Sequence, residues 1–128
     1  MNLKVRIMNL VNRALAMQRQ KNKGNISDFE AWDAEQEKLS KELDAIDEAA
    51  GKGLVVGRVL SYGVADSFAS YIITKIRKND VVVEWVPLYD GYFSNAVWLT
   101  PDKRHYIANR RDAEQQCERA DAIKHHGK

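Results

Sequence analysis

The chain has a single cysteine, Cys117, which rules out an internal disulfide and cannot by itself build a cysteine-rich metal centre. No apolar run approaches the ~20 residues that a bilayer-spanning helix needs. The segment from Met1 to Leu15 alternates lysine and arginine with apolar residues and lacks a signal-peptide core and cleavage site, so the cytoplasm is the expected location. Proline is confined to Pro87 and Pro101, positions that read as a strand end and a helix start. Acids are missing altogether from residues 1–23, which carry Lys4, Arg6, Arg13, Arg19, Lys21 and Lys23. Also missing are a His-Glu-x-x-His run, a Gly-x-Ser-x-Gly elbow and a phosphate-binding Gly-x-x-x-x-Gly-Lys loop. Asp90 is the best placed carboxylate for general-base work, but no histidine or lysine stands beside it, and an enzyme is not expected.

What remains is a chain of 128 residues, 45% hydrophobic and 30% charged, the size and composition of one globular domain. Its net charge of +2 hides an uneven distribution. Against the basic first segment, residues 28–50 hold nine acids and only Lys38 and Lys41 as bases. Two helices of opposite charge joined by a short turn attract each other, and the same complementarity would serve between subunits. An acidic helix next to the basic one also argues against a nucleic-acid patch there.

Leu3, Ile7, Leu10, Val11, Ala14 and Leu15 recur at steps of three and four, the mark of an apolar helical stripe from Asn2 to Gln20. Val5, Met8 and Met17 widen that stripe beyond what a small monomer readily buries, which predicts self-association, most simply as a dimer. Ser27 and Glu30 have capping-box spacing, so a second helix should begin at Asp28. Its stripe is Phe29, Trp32, Gln36, Leu39, Leu43, Ile46 and Ala50, interrupted once by a polar residue. Beyond Gly53 the period falls to two and β-branched and aromatic residues take over. Strands are expected over Leu54–Tyr62, Phe68–Lys78, Val81–Val86 and Ala96–Leu99, with turns at Lys78-Asn79-Asp80 and Asp90-Gly91. In the second strand, Tyr71, Ile73, Lys75 and Arg77 should share one face, and Ile72, Thr74 and Ile76 the other. Thr100-Pro101 should open a last helix running to Lys124, with few apolar residues. His105 falls within that helix and His125 and His126 at its end.

The expected fold class is therefore α+β: an amino-terminal antiparallel helical hairpin (1–50), a small antiparallel sheet or open barrel of four to six strands (51–100), and a carboxy-terminal helix and tail (101–128), all in one domain. The β segment carries more rings than its own core should absorb. Phe68, Trp85, Tyr89, Tyr92 and Phe93 would gather round the loops at the sheet edge, with Arg58, Asn95, Arg110 and Arg111 close by. Stacking on such rings holds a flat base, and arginine or asparagine donors hold its phosphates, so these nine residues are the candidate ligand site. Trp85 and Trp98 could equally belong to the core. The partner expected is a small-molecule cyclic nucleotide, with a homo-oligomeric protein, no membrane, no metal and no cofactor.

Two runs, Val64 to Ile76 and Val81 to Trp85, look like segments of short proteins encoded by bacteriophages. Together with two amino-terminal helices, a compact β core and a closing helix, they give a layout that resembles the phage anti-defence proteins that counter the Thoeris system. The resemblance covers the layout and about thirty residues, without a diagnostic motif. It implies a sponge that sequesters cyclic ADP-ribose signals, or in some members other cyclic nucleotides, without cleaving them, in pockets shared between subunits. Two other readings compete. One is a protein-contact inhibitor of a host defence complex such as a CRISPR effector, for which the acidic second helix could mimic DNA. The other is a small nucleic-acid-binding barrel, which is disfavoured because residues 51–100 carry five bases against four acids.

Overall fold

In the computed structural model, residues 2–64, 67–88 and 105–126 are described, the side chains of 62–64, 67–68 and 124–126 excepted. Three helices and four strands follow in the order α1 (Leu3–Asn22), α2 (Phe29–Ala50), β1 (Val59–Val64), β2 (Ser67–Ile76), β3 (Asp80–Val86), β4 (His105–Asn109) and α3 (Arg110–His126). The strands form one antiparallel sheet in sequence order. The α1–α2 hairpin covers one face of it and α3 the other, so the protein is an α+β domain of three layers.

The hairpin forms because the two predicted stripes face each other and the sheet, except that Phe29 at the start of the second is 63% exposed. Ile7, Leu10, Val11, Ala14 and Leu15 of α1 pack with Leu39, Leu43 and Ile46 of α2, and with Ile72, Trp85 and Val86 of the sheet. Each fully buried leucine or isoleucine there is worth about 1.5–3 kcal/mol. Asn2 caps α1, accepting from the Val5 N–H at 2.9 Å, and Asp28 rather than Ser27 caps α2, accepting from Ala31 N–H at 3.1 Å. The charge asymmetry is used across the seam in Arg6–Glu42 (3.1 Å) and Arg13–Glu35 (2.6 Å). The polar interruption Gln36 is buried and accepts from Gln18 at 3.5 Å, while its own amide points to the Met17 sulfur at 3.3 Å. Gln18 Oε1 is sealed without a hydrogen-bond partner among the described residues.

The second core lies between the sheet and α3: Leu60, Ile73, Val81 and Val83 against Ala113 and Cys117. Adjacent Ile72 and Ile73 thus serve opposite faces, as the pleat requires. The register then breaks between Ile73 and Lys75, so that Lys75 faces Val82 and Thr74 is the extra residue of a bulge. The bulge corrects the simple alternation expected for β2. It brings Ile76 to the α3 side with Ile73, and Lys75 to the α1 side, where Thr74 and Val82 already lie.

Two boundaries also differ from the sequence reading. The first strand starts at Val59, because Leu54–Arg58 form a turn in which Gly57, at φ +102°, donates to Ile73 O at 2.9 Å. A Cβ at Gly57 would meet Ala50 and Leu3 at 3.3 Å, so this close approach to both helices depends on glycine. The last helix starts at Arg110, not Pro101. Residues 105–109 pair instead with β3, and Asn109 caps α3 by accepting from the N–H groups of Arg111 (2.9 Å) and Asp112 (3.2 Å). That helix is anchored by Ala113 and Cys117, and its other described side chains, Ile123 among them, are partly or fully exposed. The expected strand at Ala96–Leu99 and the Thr100-Pro101 helix start lie outside the described residues.

Candidate functional site

Arg58 stands inside the protein, 1% exposed, with its guanidinium between two carboxylates. Nε donates to Asp47 Oδ1 at 3.0 Å, and Nη1 lies 3.0 Å from Gly51 O, Gly53 O and Asp121 Oδ1. The two carboxylates also accept from Val59 N–H (Asp47, 2.8 Å) and Gly53 N–H (Asp121, 2.9 Å). Burial works against the charge on Arg58, but its hydrogen bond to Asp47 and the charges of Asp47 and Asp121 outweigh that and raise its pKa further. Arg58 is thus a clamp tying α2, the turn before β1 and α3 together, and at 1% exposure it is buried away from a ligand phosphate. Trp85 is likewise corrected: it is a core residue, packed with the hairpin.

Arg110 and Arg111 sit at the start of α3, beside the β2–β3 turn. Arg110 Nε bonds Glu114 at 3.0 Å and its Nη1 donates to Arg77 O at 2.9 Å. Arg111 is exposed on a shallow cleft of about 580 Å³ with Lys78, Asn79 and Asn109, where Glu114 and Glu118 offset the bases. Asp121, the partner of Arg58, is eleven residues further along α3, about 16 Å at the helical rise, so Arg58 and the Arg110–Arg111 pair do not share a site. Phe68 is placed in β2 opposite Gly63, with its side chain outside the description. Tyr89, Tyr92, Phe93 and Asn95 lie outside the described residues.

A different concavity has the features of a ligand site. A groove of about 780 Å³ runs between the amino-terminal half of α1 and the sheet. Leu3, Ile7, Met8 and Val11 form its helical wall, and Val56 and Val82 continue the apolar lining. The sheet adds polar side chains to this surface, Thr74, Lys75, Glu84 and His105. Glu84, only 8% exposed, faces His105 across the β3–β4 pairing, with Oε2 3.4 Å from Nε2. Lys4 and Lys75 stand at the rim, exposed, and neither has an ion-pair partner among the described residues. The first turn of α1, which borders the groove, contains no acid, so its free N–H groups add positive potential. A largely apolar cleft with a few convergent polar groups is the usual form of a small-molecule site, and its volume lies in the usual range of about 300–1,000 Å³.

The bulge in β2 is what brings Lys75 to the groove beside Thr74, and the β4 pairing is what brings His105 to Glu84. Neither is visible in local periodicity. Glu84 did leave a signal, since it is the lone charge in the run Val81-Val82-Val83-Glu84-Trp85-Val86, where burial of a carboxylate demands a reason. Among the described residues no cluster of three or more histidine, cysteine or acidic side chains could hold a metal ion, and no helix is long and apolar enough to cross a membrane. Comparison with protein-family models, curated proteins and solved structures found no match. The functional reading therefore rests on the chemistry of the groove.

Proposed function

We propose that the protein binds a nucleotide-like small molecule, cyclic in the simplest case, and sequesters it without turnover, as a phage anti-defence sponge would. The observation that carries this reading is the α1–sheet groove: an apolar wall suited to a flat ring, with two lysines at the rim that no described carboxylate neutralises. A ring seated on Leu3, Ile7, Met8 and Val82 would leave its phosphate towards Lys4 or Lys75 and the first turn of α1. The site differs from the aromatic one expected from sequence, since Arg58 and Trp85 are committed to the interior. Absence of turnover is proposed because the polar pair Glu84–His105 has no hydroxyl or thiol nucleophile hydrogen-bonded to it among the described residues. Sequestration in the host cytoplasm by a homo-oligomer is part of the same proposal, supported by the exposed apolar residues Val5 and Met8 on α1.

The test is a thermal-shift and calorimetric screen against cyclic mononucleotides, cyclic dinucleotides and cyclic ADP-ribose isomers. Ligand recovered after denaturing the complex should be chemically intact. Lys4→Ala and Lys75→Ala should each weaken binding by about tenfold while the melting temperature stays within a degree or two. If nothing in the screen binds, the proposal fails. More than one equivalent of cleaved product would instead make the protein an enzyme.

A further inference from the structure

We infer that the groove selects a guanine base, read by the carboxylate of Glu84. This rests on the nucleotide reading and goes beyond it by naming the base. Glu84 sits in the third strand of the sheet with its residue 92% removed from solvent, yet its carboxylate lines the groove. One oxygen, Oε2, is 3.4 Å from His105 Nε2. The other, Oε1, has no hydrogen-bond partner among the described residues, and it is not among the side-chain atoms sealed away from solvent. That oxygen opens onto an otherwise apolar cleft, where a bound N–H can take the place of solvent as its donor.

An ionised carboxylate accepts and never donates, and it presents two oxygens in one plane. Among the common bases, guanine offers the matching edge: a ring N–H and an exocyclic amine side by side, both donors. Adenine and cytosine offer an exocyclic amine flanked by a ring nitrogen that is an acceptor, which would face the carboxylate repulsively. Uracil offers a ring N–H between two carbonyls. His105 stands beside Glu84 across the β3–β4 pair, with Nε2 3.4 Å from Oε2. Val82 is two residues along β3 on the same side, about 7 Å away, and Lys75 lies opposite it in the register. The charge of Lys75 is thus one residue pair removed from the reading carboxylate, on the side where the sugar phosphate of a base held by Glu84 would extend.

The experiment compares guanosine, inosine, adenosine, cytidine and uridine 3′,5′-cyclic monophosphates by isothermal titration with the full chain. Inosine differs from guanosine only by lacking the exocyclic amine, so it removes one of the two proposed donors. Guanosine should bind at least tenfold more tightly than inosine, and inosine more tightly than adenosine. Glu84→Gln, nearly isosteric and checked for an unchanged melting temperature, should shrink the guanosine-to-inosine ratio towards one while inosine itself changes little. Equal affinity for guanosine and inosine in the parent protein overturns the inference about the base and leaves the nucleotide proposal standing. Failure of all five to bind, together with the cyclic dinucleotides and cyclic ADP-ribose isomers of the broader screen, overturns both. The parent comparison needs no variant, so misfolding of Glu84→Gln cannot shelter the inference.

Discussion

Replacing Arg58 should unfold this protein more readily than any other single exposed or buried polar change. Arg58→Ala removes the cation from between Asp47 and Asp121 and strips donors from Gly51 O and Gly53 O. Breaking a buried ion pair by deleting one partner typically costs about 3–5 kcal/mol, chiefly because the surviving charges stay behind in a poorly solvated place. Here the side chains of Asp47 and Asp121 are 20% and 18% exposed, so water can reach them in part, and the lower end, about 3 kcal/mol, is expected. Each carboxylate also retains one backbone N–H donor, which limits the loss further. Arg58→Lys keeps the charge but loses the forked geometry, so it should fall between the alanine variant and the parent. Urea unfolding followed by circular dichroism at 25 °C measures these differences. A loss of less than about 1 kcal/mol for Arg58→Ala, the size of a solvent-exposed pair, would refute the clamp. It would also reopen a ligand role for Arg58.

The Gln18–Gln36 pair gives a second stability test: Gln36→Ala, which strips Gln18 of its partner in the hairpin core, should cost about 1–3 kcal/mol, whereas the double change Gln18→Met with Gln36→Leu should be neutral or stabilising in the same urea assay. Burial, with the charges of Asp121 and Asp47 adding and Arg58 opposing, raises the pKa of Cys117, so the native thiol should react slowly with Ellman's reagent at pH 8 and stoichiometrically once urea unfolds the chain. Because the folded state favours the neutral thiol, its contribution to stability is fully present below the ordinary cysteine pKa and lost as pH rises through the raised one; the stability gap between parent and Cys117→Ala should therefore narrow on going from pH 7 to pH 10.5. Met8 is 51% exposed and Val5 40%, and self-association through this part of the hairpin should give a sedimentation coefficient above the monomer value at tens of micromolar; Val5→Lys with Met8→Lys should return it to the monomer, and a parent already monomeric would rule the association out.

How far the chain could be read without its tertiary structure varied with the range of the interactions involved. The hairpin was legible because its causes are local or nearly so: stripes at three- and four-residue spacing, a helix start signalled within one residue of the Asp28 cap, and opposite charges that became Arg6–Glu42 and Arg13–Glu35. The existence of β2 and β3 was legible for the same reason, through β-branched alternation and the turn at Lys78-Asn79-Asp80. Periodicity misled where pairing between distant segments decided the outcome. The stretch His105–Asn109 has no strong strand pattern of its own, and it becomes a strand through its ladder with β3. Lys75 belongs by simple alternation to the face of Ile73, and a one-residue bulge transfers it to the opposite one. Arg58 looks in sequence like a spare cation, because its partners Asp47 and Asp121 are eleven and sixty-three residues away. The sequence by itself thus determined the class of fold and the order of its parts along the chain, through patterns that a helix or strand imposes on its own neighbours. Tertiary structure alone decided which polar groups are consumed inside and which face the groove, because a side chain's partner is set by long-range register, and a single residue of register reverses the side of the sheet to which it belongs.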